Sequence, residues 1–250
     1  MVIKMNPAVK IEKLYVSYDN VPALININLS VPKNDFLAIV GPNGGGKSTL
    51  LKVMLGLIKP ESGNVQIFGD EAVGYVPQFT AFNKFFPITV IDVILTGRLS
   101  GRKKVFYRYT QSDYEAVEKL MDKLKILDIK YKLIGQLSGG QLQKVMIARA
   151  LAIDPKIILL DEPASSIDAK SKAQIFEFLN SINKNMTIIL VTHDTSAVSS
   201  YIKNIACLNT RLHYHGVAEL NDEIIQNTFG CKMDLIAHGV PHRVLRKHGE

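Results

Sequence analysis

The chain lacks any apolar run long enough to cross a bilayer. A transmembrane helix needs about 18–20 consecutive apolar residues, whereas the longest apolar stretches, such as Met186–Val191, have the length of a strand. The first residues, Met1 to Pro7, also lack the apolar core of a signal peptide. We therefore expect the chain to stay in the cytoplasm and to work without a membrane span of its own.

Cysteine is scarce, and repeated or biased segments are absent. The two cysteines, Cys207 and Cys231, form neither a disulfide framework nor a four-ligand zinc pattern, so a reducing compartment is the simple interpretation. No internal repeat and no low-complexity segment interrupts the chain. At 250 residues and 47% hydrophobic content, it is expected to fold as one globular domain with room for a subdomain.

A glycine-rich loop is the first feature that indicates a chemical function. It follows the apolar run Phe36–Val40 and meets the phosphate-binding pattern G-x-x-x-x-G-K-[ST] in full. Glycine allows positive φ angles and close approach of backbone N–H groups, while the helix that begins at Lys47 directs its positive end at the same anion. Lys47 is predicted to reach the β- and γ-phosphates, and the Ser48 hydroxyl to ligate Mg²⁺. The predicted nucleotide loop comprises Gly41, Pro42, Asn43, Gly44, Gly45, Gly46, Lys47, Ser48 and Thr49.

Two acids follow a second apolar run, Pro155–Leu160. Such a run is typical of a parallel strand that is buried on both faces. Asp161 ends it, where a carboxylate can hold Mg²⁺ through water. Glu162 comes next and is well placed to orient or deprotonate an attacking water molecule. The two segments together predict an ATP-hydrolysing site.

Between the glycine-rich loop and the two acids lies Leu137–Gln141, with the sequence LSGGQ. In this order the three segments resemble the ATP-binding-cassette (ABC) ATPases. The resemblance implies an α/β fold: a P-loop NTPase cassette with a RecA-like core, an antiparallel β arm and an inserted α-helical subdomain. It also implies a homodimer that encloses two ATP molecules, because in the family this signature meets the γ-phosphate held by the partner. The implied contact residues are Ser138, Gly139, Gly140 and Gln141.

The same resemblance gives roles to four further residues. Tyr18 matches the aromatic side chain that stacks on adenine, and Gln78 matches the glutamine that senses Mg²⁺ and the attacking water. Asp168 matches the acid of the loop that crosses the dimer interface, and His193 matches the histidine that contacts the γ-phosphate. The implied catalytic set is Glu162, His193 and Gln78, and the implied Mg²⁺ ligands are Ser48, Gln78 and Asp161.

Three positions depart from the family pattern. Gly45 stands where the family more often has Ser or Ala, Ala164 where Thr is common, and Lys144 where Arg usually follows the signature. None of the three removes a reacting group. The departures therefore leave the rate of hydrolysis open rather than the activity.

We expect a single ABC ATPase domain over residues 1–250. The β arm and RecA-like core would occupy 8–77 and 153–215, the helical subdomain with the signature 78–152, and a histidine-containing tail 216–250. Residues 11–40 alternate like strands of an antiparallel sheet. In the helical part, Ser112 and Glu115 predict a capping box, followed by an apolar helix face formed by Val117, Leu120, Met121, Leu124 and Leu127.

A net charge of +7 suggests either nucleic acid or an anionic membrane surface as a neighbour. The densest basic run comprises Arg98, Arg102, Lys103, Lys104 and Arg108. Nucleic-acid ABC ATPases carry long coiled-coil arms or two cassettes, and no sustained heptads separate Lys47 from Ser138. We therefore expect no nucleic-acid partner, but multi-span permease subunits on separate chains, with this chain peripheral on the cytoplasmic face of the plasma (inner) membrane. A non-transport ATPase acting on nucleic acid is the alternative.

Several segments resemble the ATPases of zinc and manganese importers: 82–90, 96–106, 207–209, 229–230 and 237–243. The resemblance implies uptake of a divalent metal, with zinc ahead of manganese and iron, and an extracytoplasmic metal-binding protein in the system. Importers of haem or siderophores are the nearest competitors. Five of the six histidines (His213, His215, His238, His242 and His248) lie near the end; they form either a metal sensor or an ordinary polar tail.

Overall fold

The computed structural model describes residues 7–69, 72–78, 86–99, 108–165, 167–193, 201–217, 233–238 and 240–245; for 214–217, 233–238 and 240–245 it describes the backbone alone. The strands are β1 (Pro7–Tyr18), β2 (Val21–Pro32), β3 (Phe36–Val40), β4 (Ser62–Ile67), β5 (Val73–Val76), β6 (Ile157–Asp161), β7 (Thr187–Thr192), β8 (Asn204–Asn209), β9 (Arg211–Val217), β10 (Met233–His238) and β11 (Val240–Leu245). The α-helices are α1 (Lys47–Met54), α2 (Val90–Leu95), α3 (Gln111–Lys123), α4 (Gly139–Leu151) and α5 (Ala169–Asn183), and 3₁₀ turns cover Thr96–Arg98, Leu127–Ile129 and Ile134–Gln136.

These elements form two compact units. The first comprises Met1–Gly69 and Ile189–Glu250, and the second comprises Asp70–Ile188. The boundary falls inside β7, so this strand begins in the second unit and ends in the first. The division into core, helical subdomain and tail at residues 78, 152 and 216 stays a prediction.

In the first unit, one sheet is antiparallel and has the order β2-β1-β4. Val9 on the central strand pairs with Val31 on one side and with Ile67 on the other. The predicted antiparallel strands are therefore confirmed for β1 and β2. The prediction was wrong for β3, which pairs in parallel with β8. All five β3 residues are buried, as in a strand covered on both faces, and such a strand has no polar side to alternate.

The second sheet of the first unit places the end of β7 beside β3, followed by β8 and β9. β8 and β9 form an antiparallel pair joined by a tight turn at Thr210, whose φ is 59°. Helix α1 follows β3 directly after the glycine-rich loop. The strand–loop–helix order expected of a phosphate loop is thus present. A separate hairpin of β10 and β11 pairs Met233 with Leu245.

In the second unit, β5 and β6 run parallel, with Val76 opposite Leu160. Helix α4 contacts β5 as well as α2, α3 and α5. The predicted apolar face of α3 is buried at Val117 and Met121, and Leu124 is buried just beyond the helix. Leu127, however, is 42% exposed, because the chain leaves the helix before reaching it. The helical character expected between Gln78 and the signature is therefore confirmed for the described residues.

The capping box of α3 lies elsewhere than predicted. Thr110 is the N-cap: its backbone N–H donates to Asp113 Oδ2 at 2.9 Å, and its side-chain oxygen accepts from Asp113 N–H at 3.3 Å. Ser112 lies inside the first turn, so a box between Ser112 and Glu115 was wrong. Asp113 rather than Glu115 completes the box because Asp113 is buried and its Oδ1 also accepts from Arg98 Nε at 2.8 Å.

In the part of the chain that the structure describes, no helix is long and apolar enough to cross a membrane. Of the predicted basic run, Arg98 and Arg108 are described, while Arg102, Lys103 and Lys104 lie outside the described residues. The same holds for residues 82–85 of segment 82–90, for residues 100–106 of segment 96–106, for 229–230, and for His248.

Candidate functional site

The glycine-rich loop is built by β3, α1 and the turn after β8. Gly46 precedes α1 with φ 92°, and a Cβ there would stand 2.6 Å from the carbonyl oxygen of Ala23. Only glycine fits both the backbone angle and this close approach. Because glycine has no side chain to cap the helix, the first-turn N–H groups of α1 face the loop. At the N-terminus of this eight-residue helix, the backbone N–H groups could hold an anion.

The loop is held from outside by Thr210. Its N–H donates to Gly45 O at 3.0 Å, and its own carbonyl accepts from Ile25 N–H at 2.8 Å. A Cβ at Gly45 would stand 3.0 Å from Leu208 O, so the loop lies close against the end of β8.

Lys47 is buried, and its ammonium group spans the loop. Nζ donates to the carbonyl oxygens of Gly41 and Pro42, at 3.0 and 2.9 Å. Charge-assisted bonds of this kind hold the loop around the amine. Tyr18 OH lies 3.4 Å from Thr49 Oγ1 in the first turn of α1, and the tyrosine ring is half exposed at the end of β1. The aromatic residue therefore stands beside the loop, with a surface available for stacking.

His193 also belongs to the first unit. It follows Thr192, the last residue of β7, whose carbonyl oxygen accepts from Gly41 N–H at 3.3 Å. This bond fixes the end of β7 to the start of the phosphate loop. The exposed His193 is thereby placed next to the loop in space, although many residues separate them in sequence.

The two acids lie in the second unit at the end of the fully buried strand β6. Asp161 is 3% exposed and Glu162 is 8% exposed. Gln78 Nε2 donates to Glu162 Oε2 at 3.1 Å, which orients that carboxylate. Glu162 has φ 50°, a backbone conformation that side-chain-bearing residues adopt infrequently. Such outliers are found at functional sites, where the surrounding structure maintains them.

Tyr75, on β5, is a neighbour of Asp161 that the sequence did not reveal. Burial raises the pKa of the Tyr75 hydroxyl, and the charge of Asp161 and the hydrogen bond to it raise it further. A tyrosine that stays protonated next to a carboxylate donates to it and fixes its orientation. Only the tertiary pairing of β5 with β6 brings them together, so no local sequence signal could have identified the contact.

The signature segment starts helix α4, whose first residue is Gly139. Ser138 is the N-cap: its Oγ accepts from Gln141 N–H at 3.3 Å, and its own N–H donates to Gln141 Oε1 at 3.0 Å. The serine and glutamine of LSGGQ thus form a reciprocal capping box. Gly139 and Gly140 lie between them, at the positive end of a 13-residue helix.

Asp168 is the N-cap of α5. Its Oδ1 accepts from Ser171 N–H at 2.9 Å, and this backbone bond lowers the pKa of the Asp168 carboxyl below its usual range. The acid is therefore charged at neutral pH. It lies at the start of a helix that packs against α4.

The predicted residues fall into two groups. The first unit gathers Tyr18, the loop of residues 41–49 and His193, and the second gathers Gln78, Asp161, Glu162, the signature residues 138–141 and Asp168. The first group fits a nucleotide phosphate chain, since it offers a lysine and a helix N-terminus. Ser48 in the first group and Asp161 in the second offer oxygen ligands, the type that Mg²⁺ prefers.

Comparison with known proteins agrees with this chemistry. Residues 24–165 match the sequence profile of the ABC transporter family. The zinc uptake system ATP-binding protein ZurA of Listeria innocua is 37% identical over 225 residues, which cover 86% of this chain and 87% of that protein. Among solved structures, an ABC transporter assigned to the metal-chelate type, in an inward-facing conformation, matches with a TM-score of 0.87 at 30% identity and covers 97% of this chain and 98% of that one. A dimeric post-hydrolysis structure of the cassette MJ0796, bound to ADP and phosphate, matches with a TM-score of 0.69 at 28% identity and covers 85% of this chain and all of that one.

The fold and the phosphate loop together define a nucleotide-binding ATPase of the α/β P-loop class, as the sequence predicted. More narrowly, the chain belongs to the ABC transporter family and is one of its ATP-hydrolysing cassettes.

Proposed function

We propose that the chain is the ATP-hydrolysing subunit of an importer for a divalent transition metal, with zinc the first candidate, then manganese, then iron. The hydrogen bond from Gln78 to Glu162 is the observation that supports ATP hydrolysis, because it orients a buried carboxylate next to Asp161. The 37% identity to a zinc uptake ATPase over most of both chains supports the substrate.

In this proposal, the first group of residues binds the nucleotide. The N–H groups at the start of α1 and the Lys47 ammonium hold the phosphates, which requires Lys47 to exchange its carbonyl partners for phosphate oxygens. Tyr18 stacks on the adenine, and His193 contacts the γ-phosphate. The remaining loop residues, from Gly41 to Thr49, shape the cradle.

The second group activates water. Glu162 orients or deprotonates the attacking water molecule, and Gln78 holds the Glu162 carboxylate in place. Ser48, Gln78 and Asp161 are the proposed Mg²⁺ ligands, and Tyr75 fixes the Asp161 carboxylate. A bound Mg²⁺ would neutralise charge on the phosphate oxygens.

We propose that two copies of the chain act as a pair. Ser138, Gly139, Gly140 and Gln141 of one copy would meet the γ-phosphate held by the other, through the positive end of α4. Asp168 would cross between the copies. The dimeric MJ0796 structure bound to ADP and phosphate supports this arrangement for a related cassette.

The pair would bind multi-span permease subunits on the cytoplasmic face of the plasma membrane, and the system would include an extracytoplasmic metal-binding protein. The helical region after Gln78, residues 78–152, would transmit closure of the pair to the permease. We propose no nucleic-acid partner, since no sustained heptad pattern separates Lys47 from Ser138 in the sequence.

Deleting the gene and measuring cellular metals tests the proposal. Cells grown in chelator-limited medium are analysed for zinc, manganese and iron by mass spectrometry. We expect a selective fall in one metal, with zinc the first candidate, restored by the wild-type gene. A Glu162→Gln gene should fail to restore it, whereas Glu177→Gln, an exposed acid on α5, serves as the matched control and should restore it.

An importer of a metal chelate, such as haem or a siderophore, is a second candidate because of the match to a metal-chelate type transporter. It predicts unchanged zinc and manganese in the deletion strain, together with a growth defect when a chelated metal is the sole supply of iron. Unchanged metals and no such defect would overturn both transport proposals.

A further inference from the structure

The start of the signature helix is packed directly against the first turn of α5. A Cβ at Gly140 would stand 2.6 Å from Ser171 Cβ, a distance that side chains do not reach. Gly140 at the start of α4 therefore packs directly against the Ser171 side chain of α5. Asp168 lies at the same junction, with its Oδ2 3.6 Å from that Cβ position.

One turn further along both helices, a second contact joins them. Lys144 Nζ on α4 donates to Gln174 Oε1 on α5 at 2.8 Å. Lys144 is only 9% exposed, and burial is the main cause that lowers the pKa of its amine. A buried ammonium group that loses its acceptor retains the cost of desolvation, so this bond is strongly favoured once the helices meet. Two contacts spaced along both helices resist sliding and rotation of one against the other.

Helix α5 also lies close in sequence to Glu162, the residue proposed to activate water. Ser171 N–H is capped by Asp168 Oδ1 at 2.9 Å. Earlier in the loop, Ser165 donates twice to the carbonyl oxygen of Glu162, from its N–H at 3.2 Å and from its Oγ at 2.9 Å. Contacts therefore join the signature helix to α5 and its N-cap Asp168, and Ser165, which is bonded to Glu162, lies three residues before that cap in sequence.

We propose that Lys144 is a positioning residue that links the two ATP sites of the dimer. Lys144 holds α4 to α5. When the signature of one copy binds the partner's nucleotide, this link moves Glu162 of the same copy. The inference rests on the proposed pairing of two copies. It differs from a purely local role, in which Lys144 only steadies the signature and acts on the partner's nucleotide alone.

Mixed dimers of the full-length chain separate these roles. One copy carries Glu162→Gln and cannot hydrolyse its own ATP, so turnover reports only the site that uses the other copy's Glu162. Lys144→Met is then placed either in the Glu162→Gln copy, whose signature faces the active site, or in the copy that supplies the active Glu162. Copies with two different affinity tags allow each mixed dimer to be purified.

We expect kcat to fall on the order of tenfold in both placements, with little change in the KM for ATP. A fall only when the substitution is in the copy that supplies the signature would overturn the linkage. No fall in either placement would overturn any positioning role. If the wild-type mixed dimer neither forms nor hydrolyses ATP, the proposed pairing itself fails, and this result is distinct from the other two.

Matched variants guard against simple unfolding. Lys119→Met removes an exposed lysine from α3 and should leave turnover unchanged. Lys144→Arg retains a donor and should retain most activity, whereas Gln174→Met should reproduce Lys144→Met in both placements. The double variant should be no slower than either single one, because both remove the same bond. A double variant in which the two losses multiply would contradict the Lys144–Gln174 link.

Discussion

The side-chain amide of Gln78 donates a 3.1 Å hydrogen bond to the carboxylate of Glu162, across 84 positions of sequence. Glu162 is almost fully buried and has an unusual positive φ, so its carboxylate has few ways to turn. A donor at this distance selects one orientation. Glu162 is therefore positioned by its partner as well as by its backbone.

Gln78→Ala should slow turnover by removing this orientation. A hydrogen bond to a charged group is worth enough to change a rate on the order of tenfold, and we expect the loss in kcat rather than in the KM for ATP. Steady-state ATPase kinetics of the purified chain measure it. Gln111→Ala, an exposed glutamine on α3, is the control. An effect confined to KM would show that Gln78 binds the nucleotide and does not orient Glu162.

Glu162→Gln should slow hydrolysis by roughly 10²–10⁴-fold, the usual contribution of a general base. Binding should survive, since the change preserves shape and removes only the charge, and an ATP-bound dimer should accumulate. Gel filtration with ATP and Mg²⁺ detects that dimer, while ADP should leave it unformed. Hydrolysis at the wild-type rate would remove Glu162 from the catalytic role.

Lys47→Ala should weaken nucleotide binding itself. The substitution removes two charge-assisted bonds to loop carbonyls as well as the predicted phosphate contact, so we expect the dissociation constant to rise by at least about tenfold. Fluorescence titration with a labelled ATP analogue measures it. Lys52→Ala removes an exposed lysine from the same helix and should bind normally. Equal weakening by both would point to general electrostatics.

Two adjacent glycines of the loop should respond differently to alanine. At Gly46 the new Cβ would meet Ala23 O at 2.6 Å and the backbone would keep φ 92°, so Gly46→Ala should lose about 1–3 kcal/mol of stability and most nucleotide binding. At Gly45 the nearest atom is Leu208 O at 3.0 Å and φ is not positive, so a small shift of the loop accommodates the methyl group. Urea unfolding and nucleotide titration compare the two. Equal losses would contradict the assigned cause.

Stability should depend on pH through Asp113. The backbone N–H of Thr110 and then the Arg98 side chain lower the pKa of this carboxyl from 3.8 to about 2. A lowered pKa in the folded state means that the stabilisation is present above pH 3.8 and disappears as the pH falls through about 2. The shift corresponds to about 2 kcal/mol. Asp113→Asn should remove this pH dependence of the unfolding free energy, whereas Asp122→Asn, an exposed acid on the same helix, should not. Identical pH profiles for wild type and Asp113→Asn would refute the assignment.

Local sequence patterns predicted the elements of the site well, because their chemistry is local. The start of α1 at Lys47 and the end of β6 at Asp161 lie where glycine geometry and the apolar runs placed them. Capping was harder to predict. The α3 box uses Thr110 and Asp113 rather than Ser112 and Glu115, since a distant arginine, Arg98, stabilises Asp113. A pattern of four residues contains no information about that partner.

The sequence by itself determined which residues could bind phosphate and hydrolyse ATP. Gly46, Lys47 and Glu162 owe their proposed roles to backbone freedom, charge and position at the end of a strand or the start of a helix, and all three properties can be read within a few residues. Only the tertiary structure decided which side chains hold them. Thr210 reaches the loop, Tyr75 reaches Asp161 and Lys144 reaches Gln174 because strands and helices far apart in sequence pack side by side. Such contacts depend on how the chain folds back on itself, and no short segment encodes them.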